Sequence, residues 1–222
     1  SKKKHLRVFG IATVVVWSGI TMQRTSMWSN EIILWEAAAQ LAPNEHNVQN
    51  NLGQALQKHG KLTEAMVAYE RALVLDPFKG EAANNIATLY HQAGERLLVS
   101  NKSDSARVLI TLAKSWYHRA KDASPRSTAV IANLAASHTL LGELDSAYQY
   151  FEQCLVIDTL SAALWNNYGQ ALYDGNKLFQ AQNAFKFAKK KNLLNNKENY
   201  EKKLSKMARA GFSYEIAKEI LK

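Results

Sequence analysis

The 222 residues contain one cysteine, Cys154, and only three prolines and ten glycines. A lone cysteine excludes an internal disulfide framework and leaves the redox compartment open. So little proline and glycine supplies few of the tight turns that many-stranded folds need, whereas Ala, Leu, Asn, Gln and Lys favour long helices. The fold class is therefore all-α. Chemistry is also scarce. His5, His46, His59, His91, His118 and His138 have no partner at metal-ligand spacing, and no glycine-rich phosphate loop or nucleophile elbow occurs. Paired acids such as Glu64 and Glu70 read as surface charge on helices. No catalytic residue, metal site or cofactor is expected.

What is present is enough apolar material, 47% against 21% charged, to build a core. The net charge of +9 lies at the two ends. Lys2, Lys3, Lys4 and Arg7 give +4, and eleven Lys/Arg against four Glu over residues 186–222 give +7, which leaves 8–185 at −2. A nearly neutral body lacks the continuous cationic face that phosphate binding uses, so nucleic acid is excluded as a partner.

Residues 8–22, VFGIATVVVWSGITM, carry no charge and follow the basic flank. That pattern predicts a membrane helix, short against the roughly 20 residues of a typical span; a buried core helix is the alternative. A cleaved signal peptide fits less well, because no small-residue cleavage site follows. The basic flank, opposed only by Arg24, places the N-terminus in the cytoplasm and the body on the periplasmic or luminal side. The sequence begins with Ser, so this span is either single or the last of several.

The segment NLGQALQKHGKLTEAMVAYERALVLDP, residues 51–77, carries the strongest pattern. Counted from His46, it places Leu52, Gly53, Leu56, Gly60, Ala65, Tyr69, Ala72 and Pro77 at the signature positions of the tetratricopeptide repeat, a helix pair of about 34 residues. In such a pair, small residues at positions 8 and 20 let the helices cross closely while large ones at 7, 11 and 24 fill the seam. Counterparts in register follow from Thr128 (Leu134, Ala135, Gly142, Ala147, Phe151) and from Ala162 (Trp165, Tyr168, Gly169, Leu172, Ala181, Phe185, Ala188). Cys154 falls where the family usually has Ala, as a small buried hydrophobe.

Another repeat starts at Gly80 with Ile86, Ala87, Tyr90 and Gly94, but its second half, Ala113, Tyr117, Ala120 and Pro125, comes 14 residues late. Two heptads, divided as about two turns per helix, lengthen the hairpin by roughly 10 Å. Asn101–Asp104 is then its tip, with Ser103 or Asp104 as N-cap. The extension is either a docking element or a tolerated insertion. Trp35, Ala38 and Pro43 mark a half-repeat, with a helix from about Trp28 to Leu41. Residues 195–222 read as two capping helices, with Tyr200, Leu204, Met207 and Ala208 apolar and lysines opposite.

The resemblance implies a right-handed α-solenoid of about four helix-pair repeats, with an N-terminal transmembrane helix and a C-terminal helical cap. The expected organisation is 1–24 as basic flank and span, 25–45 as joining half-repeat, 46–194 as four repeats with the insertion around 95–112, and 195–222 as cap. It further implies that the first helices line a concave face that binds another protein chain. Position 6 on that face is Asn51, Asn85, Asn133 and Asn167, with Asn50, Asn84 and Asn166 beside three of them. Carboxamides both donate and accept, so such a row can pair with the peptide groups of an extended segment; it resembles the asparagine ladder of O-GlcNAc transferases. The alternative is that these residues staple adjacent repeats. Gln54, Gln57, Thr88, His91, Gln170 and Tyr173 complete a mostly neutral groove, with Lys58 and Asp174 at its edge. Groove positions 2, 5 and 9 hold no Lys or Arg, which excludes a carboxylate clamp. Self-association is a third reading.

Arg24, Trp28, Glu31 and Trp35 between the span and the first repeat also resemble the C-terminal region of membrane glycosyltransferases carrying tetratricopeptide repeats, including the transmembrane O-mannosyltransferases. That resemblance implies a substrate-recruiting region whose active site lies elsewhere.

Overall fold

The computed structural model describes residues 30–190. The predicted span at 8–22, its cytoplasmic flank and the cap at 195–222 lie outside the described residues, and the joining helix, expected from about Trp28, begins at Glu31 behind an extended Asn30. Among the described residues there are nine α-helices and no strand, and no helix is long and apolar enough to cross a membrane. The chain divides into two compact units, Ser1–Phe78 and Lys79–Lys222.

The first unit contains α1 (Glu31–Leu41), α2 (His46–Lys58) and α3 (Leu62–Leu75). Asn30 caps α1, its Oδ1 accepting from the amides of Ile32 and Ile33 at 3.1 and 3.4 Å, which satisfies two of the amides a helix start leaves open. Helix α2 packs on both α1 and α3. The α2–α3 seam is set by Gly53. A Cβ there would stand 2.5 Å from the Tyr69 ring, so only glycine admits the tyrosine, which is fully buried with Ala65.

The second unit contains α4 (Gly80–Val99), α5 (Ser103–Ala123), α6 (Thr128–Leu140), α7 (Leu144–Ile157), α8 (Ala162–Asp174) and α9 (Leu178–Lys190). They form three antiparallel pairs, α4/α5, α6/α7 and α8/α9, in which α5 also meets α6 and α7 also meets α8. Each pair buries the same kinds of residue. Ala113, Ala147 and Ala181 have no exposed surface, and Tyr117, Phe151 and Phe185 fill the seams. Cys154 occupies the place taken by Ala120 and Ala188 in the neighbouring pairs, with no exposed surface.

All four turns within pairs share one geometry. Gly60, Asn101, Gly142 and Asn176 adopt φ of 78°, 57°, 76° and 58°. The amide of the following residue returns to a carbonyl five residues back, as in Lys61 to Leu56 and Lys102 to Leu97, both at 2.9 Å. This left-handed helix stop suits Gly and, next best, Asn. It also corrects the expected cap of α5. The N-cap is Lys102, with no side-chain bond, and Ser103 is already helical, because the Asn101 stop reverses the chain within three residues.

Helices α4 and α5 run 20 and 21 residues, against 13 and 14 in α6 and α7. Seven residues are close to two turns, so the lengthened parts keep the same inward face. Gly94 therefore lies inside α4, where a Cβ would meet Ile110 Cγ1 at 2.6 Å. Ala106, Ile110 and Leu141 form a core with Leu97 and Leu98 against it. The extension is thus packed on the α6–α7 turn through Leu141.

Candidate peptide-binding face

In the second unit α4 touches α6 and α6 touches α8, so the first helices of the three pairs lie side by side. Asn85, Asn133 and Asn167 occupy the same place on each. Asn133 Nδ2 donates to Asn84 Oδ1 at 3.4 Å, across two pairs. Asn85 is half-buried and engaged. Asn166 is half-buried and Asn167 exposed, and neither side chain hydrogen-bonds among the described residues.

A chain of hydroxyls and an imidazole supports this row. Thr88 donates to the Asn84 carbonyl at 2.8 Å, which leaves Tyr117 OH as the donor in its 3.1 Å contact with Thr88 Oγ1. Burial pushes the Tyr117 phenol up to about 12. Ser137 donates to the Asn133 carbonyl at 3.2 Å, so His91 Nδ1 donates to Ser137 Oγ at 2.9 Å. The bonding therefore assigns the Nδ1–H tautomer to His91. Burial holds this ring below the usual histidine range, opposed by Glu95 at 3.8 Å from Nε2. Further along, Gln170 donates to Asp174 at 2.8 Å, and Tyr173 is half-buried and engaged.

In the first unit Asn50 is only 3% exposed and engaged within the structure, so its carboxamide serves packing rather than an open face. Asn51 is half-buried and Gln54 exposed. Gln57 Oε1 accepts from Tyr69 OH at 2.7 Å; its role is to satisfy the phenol of the residue that fills the α2–α3 seam.

Sequence reasoning missed Ser137 and Tyr117 as supports. Their partners lie 46 and 29 residues away, and no local spacing announces contacts of that range. Among the described residues no group of three or more His, Cys, Asp or Glu can hold a metal ion. Burial pushes the Cys154 thiol up to about 11 and its Sγ meets the Thr128 carbonyl at 3.5 Å, the surroundings of an inert packing thiol.

The sequence model of the tetratricopeptide repeat matches residues 46–79. No curated protein matches the sequence. Among solved structures, the chain is similar to TTC0263, a thermophilic TPR protein of Thermus thermophilus, at 15% identity and TM-score 0.64 over 86% of this chain and 94% of that one. It is also similar to the protein MamA at 17% identity and TM-score 0.57, over 77% and 92%. Residues 46–79 are a tetratricopeptide repeat, and the helix pairs of this chain have the fold of tetratricopeptide repeat proteins.

Proposed function

We propose that this chain is a non-catalytic scaffold, which holds an extended segment of another protein against the first helices of its second unit through Asn85, Asn133 and Asn167. The observation that carries the reading is the state of the row itself. Packing explains the small and aromatic signature positions, yet it does not explain an exposed Asn167 with no hydrogen bond among the described residues or a half-buried Asn133 that spends one donor on Asn84. Carboxamides with capacity to spare can pair with peptide groups irrespective of the partner's side chains. The body is tethered through residues 8–22, with the basic flank in the cytoplasm. Service as the recruiting region of a polytopic membrane glycosyltransferase is the alternative, resting on Arg24, Trp28, Glu31 and Trp35.

Binding of peptides selected from a random library to the full chain in detergent tests the scaffold reading. Asn85→Ala with Asn133→Ala removes two to four hydrogen bonds. At about 0.5 to 1.5 kcal/mol net each, affinity should fall roughly tenfold or more. Lys202→Ala with Lys203→Ala should leave it unchanged. A loss that follows the lysines and fades with salt would overturn the reading in favour of an electrostatic surface.

A further inference from the structure

A second polar cluster occupies the junction between the α4/α5 and α6/α7 pairs, and the scaffold reading makes no use of it. Glu143, in the α6–α7 turn, receives Lys114 Nζ of α5 on both oxygens at 2.7 Å and His138 Nδ1 of α6 at 2.5 Å. His138 is 6% exposed, and its Nε2 is buried with no hydrogen-bond partner. The Tyr150 ring of α7 stacks on it at 5.3 Å, and His118 of α5 stands edge-on at 6.0 Å. A carboxylate only accepts, so Nδ1 carries the proton of the neutral ring and Nε2 is bare. A proton added at Nε2 would have no acceptor, and its charge would share one carboxylate with Lys114. Across the same junction, His91 of α4 bonds Ser137 of α6; within its own pair it meets the Tyr117 ring of α5 at 6.1 Å.

We propose that this junction is a proton-operated hinge: mild acid charges His138, with His118 and His91, and loosens α4 and α5 from α6, while neutral pH closes it. The Asn84–Asn133 and His91–Ser137 bonds cross the same boundary, so the hinge also governs the shape of the asparagine face.

The groups facing each ring set the direction. Burial holds His138 below the usual histidine range, with Lys114 and His118 adding to it and Glu143 opposing. For His118, burial leads and Lys121 and Lys114 add to it, against Asp122 and Glu143. For His91, burial outweighs Glu95. A ring held neutral in the fold adds stability above its free value of about 6.5, and that stability is lost as pH falls through the lower folded value. Glu143 is itself held low, chiefly by Lys114, so its own loss comes at lower pH and leaves the first interval to the histidines.

Hydrogen exchange of the full chain at about pH 7.5 and about pH 5.5, corrected for intrinsic rates, tests the hinge. Protection in α6 should fall severalfold more than in α8. His118→Gln with His138→Gln keeps a donor for Glu143 without a titrating ring, and should abolish most of that difference. Equal changes in α6 and α8, or a variant that keeps the full response, would overturn the proposal. If the variant fails to fold at neutral pH, the imidazole resonances of the unaltered chain decide. His138 titrating below about 6.5 together with a loss of α6 protection over the same pH interval supports the hinge, and either one without the other sinks it.

Discussion

At the residue scale, two glycines that the repeat pattern treats alike are required for different physical reasons. Gly53 makes room for the Tyr69 ring, which a Cβ would approach to 2.5 Å; Gly53→Ala should cost about 1–3 kcal/mol of overpacking. Gly60 has nothing within 4 Å of its missing Cβ, and its constraint is φ of 78°. Gly60→Ala should cost about 1–2 kcal/mol through backbone strain alone. Thermal melts separate the two, because Tyr69→Leu should recover part of the loss at Gly53 and none at Gly60. Asn101→Gly, at the equivalent stop, should leave the melting temperature level or higher, whereas Asn101→Val should lower it. Gly60 and Gly142 were legible from the motif. The equivalence of Asn101 and Asn176 was not, because the pattern names a residue type and the backbone requires a conformation.

At the element scale, the lengthened α4/α5 hairpin is held by its own seam and by Leu141. Ile110 is 1% exposed, so Ile110→Ala should destabilise the second unit by about 2–5 kcal/mol while the folded fraction keeps its affinity for a selected peptide. A matching loss of affinity would mean that the extension shapes the binding face. The asparagines divide in the same way. Asn133 spans two pairs through Asn84, so Asn133→Ala should lower both stability and affinity, with a stability loss of about 0.5–1.5 kcal/mol. Asn167 is exposed, and Asn167→Ala should lower affinity with the melting temperature unmoved. If both changes act on the melting temperature alone, the row is a staple and not a groove.

On the scale of the whole molecule, the charge distribution carries the expected topology. Lys2, Lys3, Lys4 and Arg7 precede the uncharged 8–22 segment, and only Arg24 follows it closely. Lys177 is exposed, so Lys177→Cys in intact membranes should react with an impermeant thiol reagent from the periplasmic or luminal side. Cys154 should stay silent, because it has no exposed surface and its thiol is pushed up to about 11. Reaction only after the cytoplasmic side is opened would reverse the orientation, and membrane recovery without residues 1–24 would remove the anchor.

The sequence by itself determined the helical class, the register of the pairs and the composition of their seams, because each follows from spacings of a few residues. Leu56, Ala65, Tyr69 and Ala72 announce a helix pair wherever they fall in that order. Tertiary structure decided what the polar residues do. Asn84 meets Asn133 across 49 positions, His91 meets Ser137 across 46, and Lys114 meets Glu143 across 29. Contacts between neighbouring pairs depend on how α4, α5 and α6 come to lie side by side. A buried imidazole such as His138 acquires its neighbours, and with them its response to a proton, only when those helices close around it.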